Sequence, residues 1–154
     1  MHIKASQYLA VETAMSGLVN GILNCVAAYA IFHGRGRIPT TGPGGLLIDT
    51  IGETFIVTAL SVLIPSLIAR HRRRAGTLPT FGGARPAGNL YLRAIVAGLI
   101  FTCVCVSCNA FLLPLIFPVG VSFGNVLLFK TLYGAVLGSI ATALALHRVL
   151  REAQ

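Results

Sequence analysis

The sequence predicts an all-α, polytopic membrane protein: four transmembrane helices in a bundle made of two helical hairpins, with the N-terminus and C-terminus cytoplasmic. Three observations carry this. Hydrophobic residues make up 55% of the chain and charged ones only 10%, against about 25% charged in a typical soluble domain, and the mean hydropathy is +0.82. Four apolar runs, residues 8–32, 46–69, 91–117 and 121–146, each exceed the roughly 20 residues that cross about 30 Å of hydrocarbon. The basic residues gather on one side of those runs.

The first run opens after Lys4 and contains Ala28-Tyr29-Ala30, the outline of a signal peptide. Glu12, Asn20 and Asn24 interrupt its apolar region, which is also too long for one, so a retained span is expected. None of the four runs alternates polar and apolar residues as a barrel strand must.

Orientation follows from the basic residues in short loops. Arg70, Arg72, Arg73, Arg74, Arg85 and Arg93 flank the middle of the chain, Lys4 precedes the first span, and Arg148 and Arg151 follow the last. The opposite side has Arg35 and Arg37, and the last turn, Pro118-Val119-Gly120, has none. The net charge of +8 is thus a flanking charge, suited to the lipid bilayer rather than to nucleic acid. Anionic lipid is the expected partner at Arg70, Arg72, Arg73 and Arg74.

The organisation is a single transmembrane domain over 1–154: hairpin one over 8–69, a cytoplasmic linker over 70–90, and hairpin two over 91–148. The Gly-, Pro- and Thr-rich stretch 75–89 reads as a flexible linker. The hairpins look weakly alike. Setting Phe32 on Phe117 puts Asn24 on Asn109, and the second members align with Glu53-Thr54 on Lys130-Thr131, the pattern of a parallel internal repeat.

In lipid, polar side chains must face a partner helix, a cavity or the interface, so their spacing is a packing map. Span one carries Glu12, Ser16, Asn20 and Asn24 at intervals of four, beside Gly17 and Gly21. Span two has Thr54, Thr58, Ser61 and Pro65, span three Gly98, Thr102, Cys105 and Asn109, and span four Thr131, Gly134, Gly138 and Thr142. These stripes are expected to converge. For Asn20, Asn24 and Asn109 two readings stand: hydrogen-bonding glue between helices, or the lining of a passage.

Glu53 lies about 10 Å into span two at 1.5 Å per residue, and Lys130 is about as deep in span four. Pairing them would relieve the cost of two lone charges in lipid, so an ion pair is expected. Glu12, near the cytoplasmic end of span one, is expected to reach water, to meet Arg93, or to serve as a proton- or cation-exchanging carboxylate.

Cys25, Cys105 and Cys108 lie within the apolar runs at similar depth. They read as small packing residues, with a soft thiophilic metal as the alternative. No catalytic triad occurs, and Gly42-Pro43-Gly44-Gly45 lacks the lysine of a phosphate loop. The histidines sit at or beyond the helix ends, so no enzyme activity and no cofactor is expected. The functional expectation is a permease-like protein for an ion or small solute, with Glu12, Asn20, Asn24, Glu53, Asn109 and Lys130 facing the passage. The alternative is a non-transporting accessory or scaffold subunit. Four spans enclose little room, so a homodimer, joined through the Gly17–Gly21 face, or assembly with other membrane subunits is the expected state.

Overall fold

The computed structural model describes residues 5–78 and 88–151. The elements run α1 (Ala5–Phe32), β1 (Arg37–Ile38), α2 (Leu46–Arg74), α3 (Leu90–Ile116), β2 (Val121–Ser122) and α4 (Phe123–Val149). The helices have 28, 29, 27 and 27 residues, about 40 Å each at 1.5 Å per residue. All four are long and apolar enough to cross a membrane, which is the build of a multi-pass membrane protein. Their outward faces are large and apolar, as at Leu18, Leu99, Leu115 and Leu132, while Asn24, Thr54, Thr58, Ser61 and Thr142 point inward and are buried. This polarity suits lipid as the outer solvent.

The helix ends follow local chemistry. Asn89 caps α3 by accepting from the Leu92 amide at 3.2 Å, and Ser122 caps α4 by accepting from Asn125 at 3.4 Å, each satisfying an N–H the helix leaves orphaned. That cap starts α4 at Phe123 rather than at 121. At the other boundary α2 runs on through Arg70–Arg74, because arginine is a good helix former and cations favour a helix C-terminus. The expected linker therefore begins only at Ala75, and most of the stretch 75–89 lies outside the described residues.

Chain order and packing order differ. Neither expected hairpin packs its own two helices closely, α1 and α2 scarcely touching and α3 and α4 no more; α1 packs along α4, and α2 packs along both α3 and α4. The reason is steric. Gly17 and Gly21 bring α1 onto α4, where a Cβ on Gly17 would meet the Ala135 carbonyl oxygen at 3.1 Å and one on Gly21 the Thr131 carbonyl oxygen at 3.2 Å. Gly98 likewise brings α3 onto α2, against the Phe55 ring and carbonyl. The Gly17–Gly21 face is thus covered within the chain, which removes it as the expected route to a homodimer.

α1 is to α4 as α3 is to α2, the relation of a two-fold axis passing between α2 and α4. The two short strands obey the same axis, pairing antiparallel as Arg37 with Ser122 and Ile38 with Val121. Burial repeats too: along 46–70 and 126–150 buried, half-buried and exposed positions recur in the same order except at Ile51 and Arg70. Asn24 and Asn109 are both buried at equivalent places in α1 and α3. The sequence alignment of the second members is corrected by three residues, so that Lys130 corresponds to Thr50 rather than to Glu53. A slip of three residues is nearly one helical turn and leaves the inward face unchanged.

Apolar clusters close the two ends. At the ribbon end Phe32, Ile38, Leu46, Leu113, Val121 and Val126 pack together. At the arginine-rich end Tyr8, Ala69, Leu78, Leu146, Val149 and Leu150 do so. The polar residues lie between these plugs.

Candidate functional site

Because α1 and α2 stand apart, a groove of about 400 Å³ remains between them, floored by α4 and lined by Asn20, Asn24, Asp49, Glu53, Ile56 and Lys130 among others. A second hollow, of about 250 Å³, carries it toward the arginine-rich end past Ser16, Ser61 and Pro65 to Glu12. Asn20, Leu23 and Leu60 line both. The groove opens sideways, between helices, because the ends are plugged.

The charged end is a triad. Lys130 on α4 donates to the Glu53 carboxylate and forms an ion pair with that of Asp49, both on α2. The lysine side chain is 2% exposed and that of Glu53 7%. The pairing of Glu53 with Lys130 follows from their depth, each seven residues past its helix start, about 10 Å down. Asp49 is the member the sequence reading missed. Its signal was the four-residue spacing to Glu53, which places both carboxylates on one helical face. Lys130 engages Glu53 through Oε2, while Oε1 is buried and has no hydrogen-bond partner among the described residues.

The middle of the groove is a hydrogen-bonded node joining three helices. Asn20 donates from Nδ2 to the Ser16 carbonyl at 2.8 Å and to the Ser61 hydroxyl at 3.1 Å, and Asn24 donates to the Asn20 carbonyl at 2.9 Å. Thr142 donates to the Ser61 carbonyl at 3.1 Å and stands 2.7 Å from the Ser16 hydroxyl. Gly134 and Gly138 make room for the asparagines, since a Cβ would fall 2.9 Å from the Asn20 carbonyl oxygen at the first and 2.8 Å from Asn20 Cγ at the second.

Of the six residues expected to face one passage, Asn20, Asn24, Glu53 and Lys130 meet in this groove and Glu12 lies at its far end. Asn109 does not join them. It is buried on α3, beside Cys105 and the Tyr133 hydroxyl, and Tyr133 in turn lies 2.6 Å from Thr54 Oγ1. The two-fold arrangement explains the separation, because equivalent asparagines on α1 and α3 face opposite sides of the α2–α4 pair. Glu12 meets Arg72 at 3.6 Å rather than Arg93, since the helical continuation of α2 carries Arg72 up beside α1.

The arginine run is divided in its roles. Arg73 is buried and donates to the Val149 carbonyl at 2.6 Å. Arg70 donates to the Gly88 carbonyl at 3.0 Å, and Arg72 lies over the Tyr8 ring at 5.3 Å. Arg74 is exposed. Of the four arginines at which anionic lipid is expected, Arg73 alone is buried, while Arg72 and Arg74 are exposed and Arg70 is half-buried.

Cys25 and Cys105 are half-buried, Cys103 and Cys108 are exposed, and all four are free thiols. Among the described residues no group of three or more His, Cys, Asp or Glu side chains is placed to hold a metal ion. No protein-family model, curated protein or solved structure matches this chain.

Proposed function

We propose that the protein is a small permease-like carrier of an ion or small solute, and that its groove between α1 and α2 selects for positive charge. The observation that carries this reading is that Asp49, Glu53 and Lys130 border the cavity between α1 and α2, with the Asp49 side chain the most accessible of the three at 22%. Ionisable groups at membrane depth are costly, and they mark ion or substrate paths more often than packing contacts. Two carboxylates against one ammonium leave one surplus negative charge, which a proton or a monovalent cation balances. Glu12 supplies a further carboxylate at the other end of the same groove. Internal repeats about an axis along the membrane normal are also a recurring build among transporters.

The basic bias of the flanks supports an orientation with both termini and the arginine-rich end in the cytoplasm, with a bacterial inner membrane as the setting. Glu53→Gln is the informative variant, because it removes the surplus charge and leaves Asp49 and Lys130 as a balanced pair. In proteoliposomes, proton, Na⁺ or tetraphenylphosphonium gradients should drive a current or uptake that Glu53→Gln abolishes. Absence of flux for all three cations, with folded wild-type protein, refutes the reading.

A second reading, a non-transporting accessory subunit, is favoured by one observation. The amides of Asn20 and Asn24 press against Gly134 and Gly138 and are satisfied within the bundle, as interhelical glue would be. Co-purification of a stoichiometric membrane partner, together with no flux, would select it.

A further inference from the structure

The two-fold arrangement implies a second groove, between α3 and α4 over α2, and it is present. It has a volume of about 390 Å³ and is lined by Arg93, Val96, Phe101, Leu144, Ala145 and Arg148 among others. We infer that this groove is a discrete binding site for one anionic phospholipid, its phosphate held between Arg93 and Arg148 and one acyl chain laid along the apolar floor.

The two grooves carry opposite charge although their frames are related. Of the four acidic residues in the chain, Glu12, Asp49 and Glu53 line the groove between α1 and α2, and Glu152 lies outside the described residues. Among the described residues that line the groove between α3 and α4, none is acidic and two are arginines.

The arginines sit on opposite walls at one mouth, Arg93 in the first turn of α3 and Arg148 in the last turn of α4. Guanidinium groups suit phosphate by their planar, multi-donor geometry. Below them the lining is aliphatic and aromatic. From Arg93 to Phe101 is eight residues, about 12 Å at 1.5 Å per residue, which is close to the half-thickness of a hydrocarbon core of about 30 Å. The depth therefore fits an acyl chain of one leaflet, and the head lies where the helix ends meet the interface. Lipid binding here is independent of whether the other groove carries a solute.

Native mass spectrometry of the full-length protein, released from detergent with equal amounts of phosphatidylglycerol and phosphatidylcholine of the same chains, tests it. The wild type should retain one phosphatidylglycerol in preference, by roughly tenfold or more for two arginines at the interface. R93Q/R148Q should lose that preference while remaining monodisperse, and R70Q/R74Q should keep it. Ala97→Phe, which fills the groove and leaves both arginines in place, should also lose the bound lipid, and millimolar inorganic phosphate should not compete with it. Equal retention of the two lipids by the wild type overturns the inference. So does loss in R70Q/R74Q equal to that in R93Q/R148Q, or retention in Ala97→Phe, either of which would mean diffuse attraction to basic residues.

Discussion

Pro65 on α2 and Thr142 on α4 are complementary. The proline has no N–H to give the Ser61 carbonyl one turn earlier, and the Thr142 hydroxyl donates to that carbonyl at 3.1 Å. In hydrocarbon no water is present to satisfy a freed carbonyl, so a neighbouring helix does so. Thr142→Val should cost about 1 kcal/mol, with a range of roughly 0.5–2 for interhelical bonds of this kind. In a Pro65→Ala background, where the ladder bond is restored, the same change should cost less. A double-mutant cycle on thermal stability in detergent measures the coupling, and additivity would show that the two residues are unrelated.

Lys130 holds two carboxylates, so its removal is predicted to be the most damaging single change in the groove. Lys130→Met leaves Asp49 and Glu53 buried without a counter-ion, at a cost of about 3–5 kcal/mol for breaking a buried pair. The combination D49N/E53Q/K130M should recover most of that loss. Yield of monodisperse protein and its melting temperature distinguish the two, and a triple variant no better than K130M would contradict the charge argument.

Gly134 is where α1 comes closest through its asparagines. Gly134→Leu should wedge α1 away from α4 and cost at least about 1–3 kcal/mol, as overpacking does. A Cβ on Gly124 would meet nothing within 4 Å, and the backbone there has an ordinary helical φ. Gly124→Ala should accordingly be neutral or slightly stabilising, and paired melting curves check both.

Arg73 and Arg74 are neighbours with different roles. Arg73→Gln should lose the hydrogen bond that ties α2 to the end of α4, costing about 1.5–3 kcal/mol for a charged donor. Arg74→Gln should stay within about 0.5 kcal/mol, as exposed substitutions do. Equal melting temperatures for the two variants would contradict this division.

Span number and the inward direction of the polar stripes were legible in the sequence, because hydropathy and a four-residue period survive without tertiary information. So was the meeting of Glu53 with Lys130, since their depths match. Three features were not. The exchange of partners, α1 onto α4 instead of α2, depends on which small residues face each other, and Gly17 and Gly21 look alike for an internal and an external partner. Asn109 shares a spacing with Asn24, but spacing does not say on which side of the α2–α4 pair a helix lies. Asp49 sits in the first turn of its helix, where a carboxylate is ordinary, and only Lys130 beside it reveals its place in the groove.

The central claim is that the groove holding Asp49, Glu53 and Lys130 is wet enough to admit a solute. In a background with Cys25, Cys103, Cys105 and Cys108 replaced by alanine, single cysteines at Leu23, Ile56 and Leu60 would line that groove, and cysteines at Val104 and Val136 would face lipid. Labelling in sealed vesicles with a charged, membrane-impermeant thiosulfonate reads out hydration, because only a thiol in contact with water reacts. The account predicts reaction at Leu23, Ile56 and Leu60 and none at Val104 or Val136. Groove cysteines as inert as the lipid-facing pair, from both sides of the membrane, would contradict it.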